Sequence, residues 1–257
     1  MKIAVLDDYF NISRSIADWS AADALGSVTV FTEPFDGEDS AADALQGFDV
    51  IVGMRERTPF PKSLLDRLPD LKLLITTGMR NLSFDMDAAK ANGVVVCGTL
   101  SSGFAAAEQT WAMILGLAKR IAIEDADMRK GGWQAGLPIG LKGRRLGVIG
   151  LGKLGEQVAK IGQAFDMDVV AWSSNLTEER CKEVGVQKVS FDELLQTSDF
   201  ATIHLILGDR SRGLIGAREL GLMKKTAYLI NTARGQIVDQ PALVAALKDG
   251  RIAGAAL

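Results

Sequence analysis

Short apolar runs alternate with amphipathic stretches from the first residues of the chain onward. In the first hundred residues, five runs rich in β-branched side chains have the length of buried strands. They are Ile3–Leu6, Val28–Phe31, Val50–Val52, Leu71–Thr76 and Val94–Cys97. Helical patterns lie between them, at Pro61–Leu68, which begins with a proline, and at Asp85–Asn92, which ends before Gly93. This alternation predicts a parallel sheet with helices on both faces.

The same alternation begins again near Leu100, which predicts two domains, residues 1–99 and 100–257. Strands are expected at Arg145–Ile149, Asp168–Trp172, Phe200–Ile206, Ala227–Asn231 and from Ile252. Helices are expected at Thr177–Val184, Asp192–Gln196, Ala217–Met223 and Pro241–Asp249. The predicted fold class is therefore α/β, with two doubly wound parallel-sheet domains.

A longer helical pattern, Ala105–Asp127, opens the second domain. Trp111, Ile114, Leu115 and Ala118 share one face of this predicted helix. An apolar face of this kind fits either an intramolecular core or a subunit interface, and the sequence leaves both alternatives open.

Composition narrows the class of protein. Among 257 residues, 47% are hydrophobic and 24% are charged, which is enough apolar material for a substantial core. The 29 basic and 32 acidic side chains give a net charge of −3 without a basic block, so neither nucleic acid nor a membrane is an expected partner. The start of the chain, Met1–Asp8, is unlike a signal peptide, which predicts a cytoplasmic location. The two cysteines lack metal-ligand spacing, and no metal site is predicted.

The most informative stretch is Gly150-Leu151-Gly152-Lys153-Leu154-Gly155, between a predicted strand and a helix-like segment. In a dinucleotide-binding turn the first glycine permits the sharp turn, the second lets a pyrophosphate approach, and the third lets the helix pack on the strand. The free N–H groups and positive dipole end of the helix favour the phosphates. The strand and helix around the glycines favour a nucleotide site over a structural loop.

Three further groups lie at or just beyond the ends of predicted strands, where ligands bind in open α/β sheets. Arg234 could hold a carboxylate by two-point bonding or form a surface salt bridge. His204, the single histidine, could be an acid–base residue, hold the cofactor or satisfy a local hydrogen bond, and we favour the latter two alternatives. The loop Thr77–Asn81, with Gly78, Met79 and Arg80, could bind a small anion or be a plain turn.

The choice of coenzyme is open. The acid expected about twenty residues after the glycine turn, which would bind the ribose hydroxyls, is missing. Ser173 and Ser174 follow the second strand instead, and Arg180 or Lys182 could approach a 2′-phosphate from the next helix. NADP is therefore at least as plausible as NAD.

Taken together, these stretches resemble the D-isomer-specific 2-hydroxyacid dehydrogenases, the family of phosphoglycerate dehydrogenase, hydroxypyruvate and glyoxylate reductases and formate dehydrogenase. The resemblance covers nearly the whole chain and depends on the order and spacing of its motifs. They are Thr77–Asn81 with Ala88-Ala89, Ala107-Glu108, Arg129–Trp133, the glycine turn, Ser198-Asp199 with His204, Met223-Lys224, Asn231–Gly235 and Ala242–Ala256.

The resemblance implies a flavodoxin-like substrate domain and a Rossmann NAD(P)-binding domain, paired as a homodimer through the Rossmann domains. It assigns Arg234 as the catalytic residue that holds a 2-oxo acid, and Gly78, Met79 and Arg80 to substrate binding, where Arg80 would favour a second anionic group. The implied cofactor residues are Gly150, Gly152, Lys153, Leu154, Gly155, Ser173, Ser174, His204 and Thr232. Hydride would pass between the nicotinamide and C2 of a small D-2-hydroxy acid or 2-oxo acid.

One departure from the family bears on activity. Family members continue beyond the position of Leu257 into a segment that carries the acid–base glutamate and histidine, and neither is present here. Three alternatives follow. The chain is an incomplete dehydrogenase, or it is a non-catalytic NAD(P)-binding regulatory protein that has lost this pair. The third and weaker alternative is a structural remnant that binds nothing.

Overall fold

The structure is a computed structural model that describes residues 1–100 and 103–257. The chain divides into two compact units, Met1–Ser102 and Gly103–Leu257. Each has its own parallel sheet, so the predicted fold class is confirmed.

In the described part of the first unit, five parallel strands form a sheet in the order β2-β1-β3-β4-β5, which is the flavodoxin-like order. The strands are β1 (Lys2–Val5), β2 (Ser27–Val30), β3 (Val50–Gly53), β4 (Leu73–Thr76) and β5 (Val95–Gly98). The helices are α1 (Ser13–Ile16), α2 (Ser20–Leu25), α3 (Gly37–Ala44), α4 (Lys62–Leu65) and α5 (Met86–Ala91). All five strands match predicted ones, whereas α1 to α3 were not predicted.

The core of this unit is built from the apolar strand positions and the helices that cover them. Ile51 and Leu74 are fully buried, and they share one cluster with Leu64 of α4. The Asp85 carboxylate accepts the Ala88 N–H at 2.9 Å, which caps α5 where the sequence predicts its start.

The second unit holds a six-stranded parallel sheet within residues 103–257, in the order β11-β10-β9-β6-β7-β8. This is the Rossmann order, read from its far edge. The strands are β6 (Arg145–Ile149), β7 (Asp168–Trp172), β8 (Gln187–Lys188), β9 (Phe200–Ile203), β10 (Tyr228–Asn231) and β11 (Gly254–Ala256). The helices are α6 (Ala105–Ala118), α7 (Ile121–Met128), α8 (Lys153–Ala164), α9 (Glu178–Val184), α10 (Phe191–Thr197), α11 (Ala217–Leu222) and α12 (Gln240–Lys248), and a 3₁₀ turn spans Gly235–Ile237.

The prediction of one helix over Ala105–Asp127 is wrong, because the chain breaks between α6 and α7. Arg120 is left-handed, with φ of 58°. The returning chain takes over the last turn of α6: the Ile139 N–H donates to the Ala118 carbonyl at 2.7 Å, and Lys119 Nζ donates to the Ile139 carbonyl at 2.9 Å. A tertiary contact thus ends a helix that local periodicity would continue.

The apolar face of α6 belongs to the core of the second unit. Trp111, Ile114 and Ala118 are buried, and Leu115 packs against the same cluster. Trp111 Nε1 also donates to the Val158 carbonyl at 3.2 Å. Of the two alternatives, the intramolecular core is therefore correct. Among the described residues, no helix is long and apolar enough to cross a membrane.

Candidate cofactor and substrate site

The three glycines of the turn between β6 and α8 have three different environments. Gly150 has φ of +103°, and a Cβ there would lie 2.8 Å from the His204 carbonyl oxygen. A Cβ on Gly155 would overlap the Gly150 carbonyl oxygen. A Cβ on Gly152 would meet nothing within 4 Å. The first and third glycines therefore allow close packing, while Gly152 borders open space at the start of α8, which fits an approaching pyrophosphate.

Backbone bonds hold this turn at the point where the strand order reverses. The Gly150 N–H donates to the Trp172 carbonyl at the end of β7, at 2.8 Å. The His204 N–H, just beyond β9, donates to the Ile149 carbonyl at 2.8 Å. The carboxyl ends of β6, β7 and β9 thus meet at the glycine turn, which is where open α/β sheets bind ligands.

A cavity of about 620 Å³ lies beyond the end of β7. Its wall includes Ser173 and Ser174, the two residues that follow β7. Sequence reasoning missed two acids and a lysine of the same wall, Glu178, Glu193 and Lys188, which come from α9, α10 and β8. Pattern alone could not find them, because three separate elements supply them.

Arg180 does not extend freely toward this cavity. Its guanidinium forms a short ion pair with Glu156 in the first turns of α8 and a second with Glu183 at 3.2 Å. Its Nε also lies 3.4 Å from the Leu151 carbonyl within the glycine turn. Arg180 therefore links α9 to the turn.

His204 lies directly after β9. Its Nε2 is 2.9 Å from the Thr202 hydroxyl, whereas its buried Nδ1 has no hydrogen-bond partner among the described residues. Burial lowers the pKa of His204 from 6.5 to about 4. The imidazole is thus uncharged at neutral pH.

The loop after β10 is shaped by a side chain that sequence reasoning did not single out. Asn231 Nδ2 donates to the Arg234 carbonyl at 2.9 Å, and Asn231 Oδ1 accepts the Ala233 N–H at 3.1 Å. An asparagine that closes such a turn is a recognisable local signal. The Thr232 hydroxyl lies 2.7 Å from that of Thr110 on α6, which fixes the loop to a helix distant in sequence.

Arg234 is exposed at this loop, and its Nη1 donates to the neighbouring Ala233 carbonyl at 3.0 Å. It borders a cavity of about 550 Å³ together with Asn231, Thr232, Gln109 and Gln240. A guanidinium at the rim of a cavity beyond a strand end is well placed for an anionic ligand.

In the first unit, the predicted anion loop Thr77–Asn81 follows β4. The Gly78 N–H is already donated to the Thr99 hydroxyl at 2.9 Å, which leaves Met79, 67% exposed, as the candidate backbone donor. Arg80 is exposed as well. Sequence reasoning missed Arg55, a left-handed residue with φ of 55° whose guanidinium lies over Gly78. A charged residue two positions after β3 could have signalled it.

Residues 111–257 match the family model described as D-isomer specific 2-hydroxyacid dehydrogenase, NAD binding domain. That match covers more than half of the chain. The chain belongs to the D-isomer specific 2-hydroxyacid dehydrogenase family. A glyoxylate reductase of Aeropyrum pernix is 42% identical over 206 residues, which are 76% of this chain and 61% of that protein. A D-3-phosphoglycerate dehydrogenase of Bacillus subtilis is 35% identical over 84% of this chain and 42% of its own length.

A solved structure of a phosphoglycerate oxidoreductase from Vibrio cholerae superposes on this dehydrogenase-family chain with a TM-score of 0.91 and 33% identity, covering all of this chain and 82% of the other. The chain thus spans about two fifths to three fifths of the length of the two curated relatives above. Within its Rossmann unit, the structure brings the glycine turn, the Ser173-Ser174 pair and His204 to the carboxyl edge of one sheet.

Proposed function

We propose that this 2-hydroxyacid dehydrogenase transfers a hydride between NAD(P)(H) and a small D-2-hydroxy acid or 2-oxo acid. The observation that carries the proposal is the open space at Gly152, between two glycines that the fold requires for close packing. Gly152 directly precedes Lys153, the first residue of the twelve-residue helix α8, so a pyrophosphate that approaches there would meet the free N–H groups of the first helical turn.

In this proposal the chain binds and aligns the reactants. Gly150, Gly152 and Gly155 shape the turn, and the N–H groups of Lys153 and Leu154, in the first turn of α8, face the pyrophosphate. The Ser173 and Ser174 hydroxyls lie at the ribose position. When bound, the nicotinamide coenzyme supplies or accepts the hydride.

His204 and Thr232 belong to the nicotinamide half of the site in this proposal. The lowered pKa of His204 means that its ring carries no ionisable proton to give near neutral pH. Its bond to Thr202 orients the ring instead. Both features favour a positioning role for His204 over that of a proton donor.

Arg234 is the residue that we propose to hold the carboxylate and carbonyl oxygens of a 2-oxo acid. Gly78, Met79 and Arg80 are proposed as substrate-binding residues of the first unit, where Gly78 gives the loop its left-handed backbone. The exposed Arg80 and Arg55 would favour a substrate with a second anionic group. The first unit is accordingly proposed as the substrate domain and the second as the NAD(P)-binding domain.

A homodimer through the second unit is part of the proposal, and the cytoplasmic location stays a prediction. Support for the dimer comes from α7 and the segment after it, which expose large apolar side chains. They are Ile121, Ile123, Met128, Trp133 and Leu137, between 50% and 91% exposed. Exposed apolar side chains grouped along one segment are typical of an interaction surface.

The test is coenzyme binding and turnover measured side by side. NADH and NADPH are titrated into the 257-residue chain while tryptophan fluorescence is recorded, because Trp172 lines the cavity beyond β7. Oxidation of both coenzymes with glyoxylate and hydroxypyruvate is then followed with the complete translation product that contains this sequence. Coenzyme binding with 2-oxo acid reduction is expected. Binding without turnover by the complete product would favour the non-catalytic regulatory alternative.

A further inference from the structure

We infer that this site selects NAD(H) over NADP(H), because Glu178 and Glu193 line the cavity beyond β7 while Glu156, outside that wall, holds Arg180 in an ion pair. The inference depends on the proposed function, since it concerns the same coenzyme site. It decides a choice that the strand-end sequence leaves open, because two serines replace the usual acid there.

Charged side chains line the cavity beyond β7. Glu178 and Glu193 reach its wall from α9 and α10, and Lys188 reaches it from β8. Lys188 Nζ lies 3.8 Å from Glu178 Oε1, so its charge is partly neutralised within the wall. The three side chains together carry one net negative charge. A 2′-phosphate entering this cavity would meet like charge, whereas ribose hydroxyls could donate to the carboxylates.

Arg180 is a cation that, from the sequence, could approach a 2′-phosphate. All of its guanidinium nitrogens face acceptors of the chain: Nη2 faces Glu156, Nη1 faces Glu183 at 3.2 Å, and Nε faces the Leu151 carbonyl at 3.4 Å. A planar guanidinium whose nitrogens are all engaged must break an ion pair before it can grip a phosphate.

Glu156 remains charged and in place. Its other oxygen accepts from Lys160 Nζ at 2.6 Å, one helical turn further along α8. The bonds from Lys160 and Arg180 lower the pKa of the Glu156 carboxyl below its ordinary value of 4.5. Glu156 therefore retains Arg180 at any pH at which the coenzyme is handled.

The role of Arg180 in this arrangement is to position the glycine turn. It connects the first turn of α9 with the Leu151 carbonyl, between Gly150 and Gly152, and with the first turns of α8. Arg180 is thus a positioning residue of the NAD(H) site and takes no part in reading the ribose. The serine hydroxyls at 173 and 174 can serve either coenzyme, so they do not decide the preference.

The experiment compares the dissociation constants of NADH and NADPH for the 257-residue chain by tryptophan-to-dihydronicotinamide energy transfer. The unmodified chain is expected to bind NADH at least about tenfold more tightly than NADPH, because like charge at short range opposes the extra phosphate. In Glu156→Gln, the released Arg180 should raise NADPH affinity about three- to tenfold relative to NADH. The matched control is Asp166→Asn, which removes a carboxylate of the same unit that pairs with Lys142 at 2.9 Å and does not line the cavity, and which should leave the coenzyme ratio unchanged.

A second pair of substitutions, Glu178→Gln with Glu193→Gln, should raise NADPH affinity independently of Arg180. Thermal unfolding verifies that every variant is folded. Equal affinity for the two coenzymes in the unmodified chain, or tighter NADPH binding, overturns the inference and leaves the proposed function intact. An unchanged ratio in both Glu156→Gln and the double variant also overturns it. If neither coenzyme binds to the folded chain, the proposed function fails, and the inference fails with it.

Discussion

The neutral, enclosed imidazole of His204 predicts a specific loss of stability in acid. The relevant change in conditions is from neutral pH to about pH 4.5, and the free energy of unfolding is compared between the two. Protonation would place an N–H on Nδ1, which is buried and has no acceptor among the described residues. Burial therefore holds the pKa of His204 in the folded chain at about 4, whereas a solvated histidine has a pKa of 6.5. Between these two values the unfolded chain binds a proton that the folded chain does not.

The difference between the pKa values of His204 in the folded and unfolded chains fixes the direction and the size of the change in stability. The pKa of His204 is lower in the folded chain than in the unfolded chain. The contribution of the neutral ring to the free energy of unfolding is therefore complete above about pH 6.5 and is lost as pH falls toward about 4. The difference between 6.5 and about 4 corresponds to a limit of about 3 kcal/mol, at about 1.4 kcal/mol per pH unit. Since the residue is only half-buried overall, we expect about 2 kcal/mol at pH 4.5.

The assay is urea unfolding of the unmodified chain and of His204→Gln at neutral pH and at about pH 4.5. Glutamine keeps a polar atom near the Thr202 hydroxyl but does not titrate, so carboxylates such as Glu156 contribute equally to both chains. The control Thr202→Val removes the hydrogen bond and leaves the titrating ring. The unmodified chain should lose about 2 kcal/mol more than His204→Gln. Equal losses in the two chains would refute the burial argument for His204.

Three further predictions concern the candidate site and the exposed apolar segment. Gly155→Ala should lower the free energy of unfolding by about 3 kcal/mol in urea denaturation, because the new Cβ would overlap the Gly150 carbonyl oxygen. Gly152→Ala should leave the free energy of unfolding nearly unchanged and weaken NADH binding at least about tenfold in a fluorescence titration. Equal effects of the two substitutions would contradict the distinct environments of these glycines. Arg234→Ala in the complete translation product should reduce kcat/KM with 2-oxo acids at least about a hundredfold while the NADH dissociation constant changes little, and equal loss of both would remove Arg234 from the substrate site. Trp133→Glu with Leu137→Glu should convert a dimer to a monomer in light scattering, and an unaffected dimer would place the interface elsewhere.

Much of the site was predictable because its signals are local. The spacing of Gly150, Gly152 and Gly155 between a strand and a helix predicted the turn, and the structure has the left-handed turn at Gly150 and the close packing at Gly155, while the pyrophosphate contact at Gly152 stays a prediction. Ser173 and Ser174 were located by counting along the next strand. The charged wall beyond them was not predictable, because Glu178, Glu193 and Lys188 come from separate elements.

The sequence by itself determined the fold class, the described strands except the short β8 (Gln187–Lys188), and the position of the glycine turn. Hydrophobic periodicity and glycine spacing are properties of a few consecutive residues, so they are legible before the chain folds. The local pattern predicts one helix over Ala105–Asp127, whereas in the structure the chain that returns at Ile139 ends this helix at Ala118.

Only the tertiary structure decided which charges and hydroxyls meet. The Arg180–Glu156 ion pair joins residues 24 positions apart, and the Thr110–Thr232 contact joins residues 122 positions apart. The low pKa of His204 likewise depends on burial by the folded chain. Electrostatic and hydrogen-bond partners act at distances of a few ångströms, and those distances exist only after the elements have packed together.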